Sequence, residues 1–225
     1  MLQFYYHPLS PLARRVWIAL LEKKLHFEPI IVNLDRGEQL KPEYLKLNPF
    51  HHVPIIVDDG LRVIESLAIL DYLEFKYPEV SLLPNDAATL AKVKMAQMVT
   101  NSELGSLVVP LVYNDIESPK LSQAKRHLKR VCKFLSELLG NELYFGGSQF
   151  TIGDIVAGNG LILCSKLGFE LDRFSNVEAY CRRLMEREVW QTIQPNEEEI
   201  VVWKEVVKTL FNKRIGRVGS THPTV

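Results

Sequence analysis

The spacing of apolar and polar positions changes character twice along the chain. The opening LQFYY reads as a strand, after which Ala13, Val16, Trp17, Leu20 and Leu21 recur at the spacing of one helix face. The β-branched run HFEPIIVNL returns to extended character, so the first elements form a β-α-β unit. A short helix around KPEYLKLNP follows, then two apolar runs, VPIIV and LRVIE, separated by Asp58, Asp59 and Gly60. An Asp-Gly step between such runs is a hairpin signal, because both residues tolerate the positive φ of a tight turn. SLAILDYLEFKYP closes the region as a helix opened by Ser66 and stopped before Pro78. The order β-α-β-α-β-β-α predicts a small mixed sheet, with the β-α-β strands parallel and the hairpin antiparallel.

From about Ala87 the strand pattern ends. Ala124, Leu128, Val131, Cys132, Leu135, Leu138 and Leu139 form one helical stripe; Val177, Tyr180, Cys181 and Leu184 form another; Trp203, Val206, Val207 and Leu210 form a third. This half is expected to be an all-helical bundle. The change falls in YPEVSLLPNDAATL, where two prolines and an Asn-Asp pair interrupt periodicity. The expected organisation is a sheet domain over 1–78, a linker over 79–86, a helical domain over 87–215 and a tail over 216–225. Within the helical half, QFTIGDIVAG places Thr151 as N-cap with Asp154 at N3, and Phe150 and Ile155 as a hydrophobic staple. That pattern belongs to folding.

Charge narrows the choice of partner. Lys plus Arg equals Asp plus Glu at 27 each, so no global field draws the chain to nucleic acid or an anionic membrane. A small molecule or a protein is the expected partner. The one basic segment, KTLFNKRIGRVGSTHPTV, reads as a helix end and tail. No signal peptide or membrane span is visible, and the 3 cysteines are widely spaced without a CxxC motif. That fits a reducing, cytoplasmic setting in which Cys132, Cys164 and Cys181 are core residues, with no structural zinc. No P-loop, GxGxxG or GxSxG motif occurs. His51 and His52 are adjacent and point apart, which makes them poor co-ligands, so no metal is expected.

What remains is a set of polar groups at strand ends and helix starts. Ser10 follows the first strand with Pro11 behind it, a pairing that makes a helix cap and needs no further role. NPFHHVP precedes the third strand, where Pro54 is either an ordinary trans proline or a cis one that turns the Val53 backbone outward. Glu65 and Ser66 open the third helix; Ser66 reads as an N-cap, yet the same helix start offers free N–H groups to a carboxylate. Glu65 beside it can pair with an ammonium. A ligand with an α-amino acid head satisfies both.

The segments SPLARRVWIALLEKKLHFE, GEQLKPEYLKLNPFHHVPIIVDDG and VIESLAILDYL, followed by FTIGDI in a helical half, resemble the cytosolic glutathione S-transferases of the serine-using kind, such as the theta, tau and zeta classes or a bacterial-type relative. The most specific feature is Val53-Pro54 followed by Glu65-Ser66. The resemblance covers the chain to about residue 210 and implies a thioredoxin-like first domain, a helical second domain, a homodimer and glutathione as co-substrate. By motif, Ser10 is the thiol-activating residue, Val53 offers backbone hydrogen bonds to the cysteinyl unit, and Pro54 is cis. Glu65 and Ser66 hold the γ-glutamyl head, while Gln39 and His52 match positions that often contact the glycyl carboxylate. His51-His52 departs from the commoner Gly-Lys pair, which alters that last contact.

A free thiol titrates near pH ~8.5, so making it mostly thiolate at neutral pH asks for about 2 kcal/mol. One hydrogen bond to the charged sulfur at a helix N-terminus is of that size. Tyr5 and Tyr6 are the competing donors, since some branches of the family use a first-strand tyrosine. The electrophile site is expected between the domains, lined by the Ser10 loop and by Met98, Ser102, Ser106, Val109 and Tyr113 on one face of the first long helix of the second half; packing against neighbours or a partner subunit is the other reading of that face. Two further readings stay open. A thiol-disulfide enzyme such as a dehydroascorbate reductase normally needs a cysteine where Ser10 stands, and the first cysteine here is Cys132. A non-catalytic interaction protein on the same scaffold does not explain why Ser10, Glu65 and Ser66 are all present.

Overall fold

The structure, a computed structural model, describes residues 1–113 and 118–218, and leaves out the side chains of Leu210 and of residues 213–218. The first half contains β1 (Gln3–Tyr6), α1 (Pro11–Glu22), β2 (Glu28–Ile31), α2 (Pro42–Leu47), β3 (Ile55–Asp58), β4 (Leu61–Ile64) and α3 (Ser66–Lys76). The sheet order is β2-β1-β3-β4. β1 and β2 are parallel, while β3 is antiparallel to both β1 and β4, as the period changes predict. Asp59 at φ 48° and Gly60 at φ 83° form the hairpin turn, both in the left-handed region that such a turn requires. One local expectation changes: Ser66 is the first residue of α3 and Glu65 is its N-cap, at φ 69° and with no side-chain capping bond.

The second half is helical: α4 (Ala87–Val99), α5 (Val108–Val112), α6 (Pro119–Leu139), α7 (Ile152–Lys166), α8 (Ser175–Met185), α9 (Glu188–Ile193) and α10 (Glu197–Val218). Residues 114–117 and 219–225 lie outside the described residues, and the tail expected from 216 begins within the last turn of α10. The three apolar stripes are buried or partly buried wherever they are described. Cys132, Cys164 and Cys181 are free and buried, and burial pushes the Cys132 and Cys181 thiols up to about 12.

The first long helix departs from expectation. α4 stops at Val99, followed by a wide π-turn over Thr100–Leu104 and a tight 3-10 turn over Gly105–Leu107 before α5 resumes. Pro110 accounts for part of this break: it has no N–H to bond the Ser106 carbonyl, and its ring crowds that oxygen. The regular spacing that put Met98, Ser102, Ser106, Val109 and Tyr113 on one face therefore does not run through the segment.

α7 is the central helix, with every residue from Ile152 to Cys164 buried. Its glycines let α4 approach closely. A Cβ at Gly153 would fall 2.9 Å from the Val93 carbonyl oxygen, and one at Gly160 would fall 2.9 Å from Thr100 Cγ2. The two contacts follow the same order along both segments, so α4 and α7 run parallel. The halves are tied at both ends of α1. Asn159 Nδ2 donates to the Pro11 carbonyl at 2.8 Å, and Arg15 Nη1 donates to Asn101 Oδ1 at 2.7 Å. At the other end, Arg187 grips the Glu22 carboxylate with two bonds of 2.8 and 2.6 Å while its guanidinium lies over the Phe150 ring. The connection is pinned too: buried Lys23 pairs with Glu74 at 2.7 Å and donates to the Val80 carbonyl, Glu74 accepts from the Leu82 N–H, and the Leu82 carbonyl accepts from Ile152.

Candidate active site

Three polar segments leave the sheet at one end. Tyr5 pairs with Ile55 and Ile55 with Ile64. Hence the loop after β1, the approach to β3 and the exit from β4 are neighbours, and they carry Ser10, Val53-Pro54 and Glu65-Ser66 respectively.

Ser10 caps α1. Its Oγ accepts from the Ala13 N–H at 3.3 Å, its own N–H donates to the His7 carbonyl at 2.9 Å, and Pro11 occupies the first helical position. A serine oxygen that accepts one bond still has its proton to give. Behind that proton lies the positive end of the α1 dipole. His7 closes the loop by accepting from the Leu9 N–H through Nδ1 at 3.2 Å, and burial lowers its imidazole below the ordinary range. Tyr6 is only 6% exposed, stacked on Phe4 at 4.7 Å with its ring edge-on to Trp17, and burial raises its phenol. Tyr5 points to the other face of the sheet, where its hydroxyl donates to Gln3.

The Val53-Pro54 bond is cis and both residues are buried. The preceding carbonyl, that of His52, receives the Tyr44 hydroxyl at 2.7 Å and the Asn48 amide at 2.9 Å. Asn48 also accepts from the Phe50 N–H at 2.9 Å, so one buried amide shapes the whole turn. Both histidine side chains are exposed; His51 sits at φ 60° with Nδ1 3.3 Å from the Gln39 carbonyl. Gln39 is buried, its amide nitrogen donates to the Leu34 carbonyl, and its Oε1 has no partner.

Glu65 is exposed at φ 69°, a strained conformation for a side-chain-bearing residue, and its carbonyl accepts the first intrahelical bond, from Ile69. Ser66, Leu67 and Ala68 follow with N–H groups that have no intrahelical partner. An exposed carboxylate and a helix N-terminus thus sit side by side, complementary to an ammonium and a carboxylate on one carbon.

Of the electrophile-site candidates, Met98 and Ser102 are exposed and flank Asn101, the residue that Arg15 reaches. Ser102 and Ser106 donate their hydroxyls to the Met98 and Glu103 carbonyls. Val109 is half-buried, and the Tyr113 hydroxyl lies 3.2 Å from Asn212 on α10, with its ring against Phe211. Among the described residues, no group of three or more His, Cys, Asp or Glu side chains could hold a metal ion.

Residues 4–81 match the family model for the glutathione S-transferase N-terminal domain, and residues 89–188 match that for its C-terminal domain. The chain belongs to the glutathione S-transferase family. It is 39% identical over 178 residues to glutathione S-transferase 1 of Dianthus caryophyllus, covering 76% of this chain and 80% of that one. A glutathione S-transferase structure from the Antarctic clam Laternula elliptica superposes with a TM-score of 0.77 at 27% identity over 86% of this chain and 92% of that one. A glutathione transferase from Burkholderia graminis, solved with two glutathione molecules per subunit, gives a TM-score of 0.76 at 27% identity, over 85% and 86%.

Within this transferase fold, the sequence reading named the residues that line the loops but not those that hold them. Tyr44 and Asn48 fix the His52 carbonyl, Asn101 receives Arg15, and Asn159 donates to the Pro11 carbonyl. Only Asn48 carried a local signal, because Asn before Pro commonly turns the chain through its own side chain. Arg14 and Arg15 are 2% and 4% exposed, and loss of hydration lowers both to about 10.

Proposed function

We propose that the protein is a glutathione transferase in which Ser10 stabilises the glutathione thiolate for attack on small, mostly hydrophobic electrophiles. The observation that carries this reading is the convergence, at one end of the sheet, of a cap hydroxyl with a free proton, a cis Val53-Pro54 turn and the Glu65-Ser66 helix start. Glutathione spans these groups in order. Its γ-glutamyl ammonium meets Glu65, its α-carboxylate meets Ser66 and the free amides of α3, and its cysteinyl backbone pairs with Val53. The sulfur then lies toward Ser10. His52 takes the glycyl carboxylate, and Gln39 shapes that subsite through the loop it anchors to Leu34.

Ser10 acts as a donor to the anion and not as a base, because an alcohol does not take a proton at neutral pH. The thiol proton leaves to solvent, and the thiolate forms the carbon–sulfur bond as the electrophile's leaving group or π-bond takes up the electron pair. The electrophile enters between the Ser10 loop and the segment from Met98 to Tyr113, where Asn101 and Arg15 bring the domains together. Tyr6, enclosed between Phe4 and Trp17, serves the core.

The reading extends to assembly and setting. Phe75 on α3 is 89% exposed and Met95 on α4 is 41% exposed, with Asp71 and Lys94 bridging the two helices. A second copy of the chain covers this apolar face in a homodimer. Three unpaired, buried thiols fit a cytoplasmic protein, and detoxification of electrophiles is the role such chemistry serves.

Retention on immobilised glutathione and conjugation of a chromogenic aryl halide test the proposal. Wild type binds and turns over; Ser10→Ala binds and loses at least tenfold in kcat/KM, about 1.4 kcal/mol. Failure of the wild type to bind glutathione favours a non-catalytic scaffold, and normal turnover by Ser10→Ala removes the serine from the mechanism.

A further inference from the structure

The Ser10 hydroxyl is useful only where α1 begins in the right place. From its own domain the first turn is held by the Ser10 N–H bond to His7, by the cap bond from Ala13 and by the Arg14 N–H bond to the Ser10 carbonyl at 3.0 Å. A further hold comes from the other domain: Asn159, in the middle of α7, donates to the Pro11 carbonyl at 2.8 Å. Pro11 is bonded directly to Ser10. We infer that Asn159 is a positioning residue for the Ser10 hydroxyl, setting the distance and angle at which that hydroxyl meets the glutathione sulfur.

The surroundings of Asn159 favour this role over simple adhesion between domains. Asn159 is 2% exposed, and its Oδ1 has no hydrogen-bond partner. An apolar side chain at such a site escapes the cost of an unpaired buried oxygen, so the amide is a poor choice for stability alone. Its platform is also unusually fixed. Gly160, the next residue, lets Thr100 of the turn after α4 close on α7, and Asn101, adjacent to Thr100, receives Arg15 at 2.7 Å. Pro11 and Arg15 stand four residues apart on one side of α1, so the first full turn is anchored on α7 and on the turn after α4, which are themselves in close contact. A hydrogen bond to an anion weakens steeply with misalignment, and a shift of the Pro11 carbonyl is passed to Ser10 through a single peptide unit.

The inference rests on the Ser10 reading above, and one experiment separates the two. The thiol of enzyme-bound glutathione is titrated by its thiolate absorbance in wild type, Ser10→Ala, Asn159→Leu and Asn159→Ser. Asn159→Leu is expected to raise the thiol pKa by about half a unit, a loss of about threefold in thiolate at a pH below it. kcat falls by a similar factor while KM for glutathione stays within about twofold. Asn159→Ser, with a hydroxyl too short to reach Pro11, behaves alike and serves if the leucine variant does not fold. Ile155→Val on the same helix carries no bond to α1 and controls for lost stability. If Ser10→Ala raises the thiol pKa and neither Asn159 variant does, Asn159 only joins the domains and the inference falls. If Ser10→Ala leaves the thiol pKa unchanged, the Ser10 reading falls with it.

Discussion

Among the described residues, α1, α6 and α7 begin with a hydroxyl residue at the N-cap, and α1 and α7 put it to opposite uses. At α7, Thr151 gives its proton to Asp154, whose carboxylate also accepts from the Thr151 and Phe145 N–H groups and from the Tyr180 hydroxyl. Thr151 and Asp154 are both fully buried, and every strong donor around them is satisfied within the chain. At α1, Ser10 accepts one bond and keeps its proton, half-exposed where three loops converge. The capping chemistry is the same. What separates a finished structural cap from a candidate catalytic one is whether the hydroxyl proton has a partner inside the protein and, where it has none, as at Ser10 and at Ser118 of α6, whether the binding loops converge on it.

Breaking the α7 cap has the largest expected effect. Asp154→Ala leaves several buried donors unpaired, and unfolding by urea is expected to show a loss of about 3 to 5 kcal/mol, with kcat per folded molecule unchanged. A subtler test uses pH. Burial raises the Asp154 carboxyl to about 6 against the pull of its hydrogen bonds. A carboxyl raised on folding binds its proton more tightly in the native state, so its effect on stability is most favourable below the unfolded value. That advantage is lost as pH rises from about 4 to about 6, on the order of 3 kcal/mol. Asp154→Asn removes the titration, and the slope of unfolding free energy over that window flattens relative to wild type.

Substitutions at the sheet-domain loops sharpen the other side. Glu65→Gly removes the strain of φ 69° together with the carboxylate. Stability is expected to hold or rise by up to about 1 kcal/mol while glutathione affinity, read by calorimetry, falls at least tenfold. Tyr44→Phe deletes one of the two bonds to the His52 carbonyl, and KM for glutathione is expected to rise about threefold to tenfold with kcat little changed. The smallest effect belongs to Tyr6→Phe: the ring stays stacked between Phe4 and Trp17, and steady-state kinetics are expected to remain within about twofold of wild type.

The local features of both regions were legible because each is written in a few consecutive residues. Asp59-Gly60 announces its turn, Thr151 to Asp154 announces its cap, and Ser10-Pro11 announces the start of α1. The helix break after Val99 was not legible from periodicity, since a π-turn and a 3-10 turn in succession mimic a continuous stripe; Pro110 was the visible warning. Glu65 as an N-cap with positive φ was missed because capping preferences favour Ser66, whereas the abrupt turn from β4 into α3 requires the residue before it to bend. Least legible were the bonds Asn159 to Pro11 and Arg15 to Asn101, which join residues far apart in sequence and leave no local pattern. They are the contacts that join the helical domain to the start of α1.

The central claim is that Ser10 holds a hydroxyl proton in reserve for the glutathione thiolate. Titration of bound glutathione by its thiolate absorbance measures this directly. In wild type the thiol is expected to ionise at least about 1.5 units below its free value of about 8.5, and in Ser10→Ala to return to within about half a unit of it. Ionisation at the same depressed pH in both proteins would contradict the account.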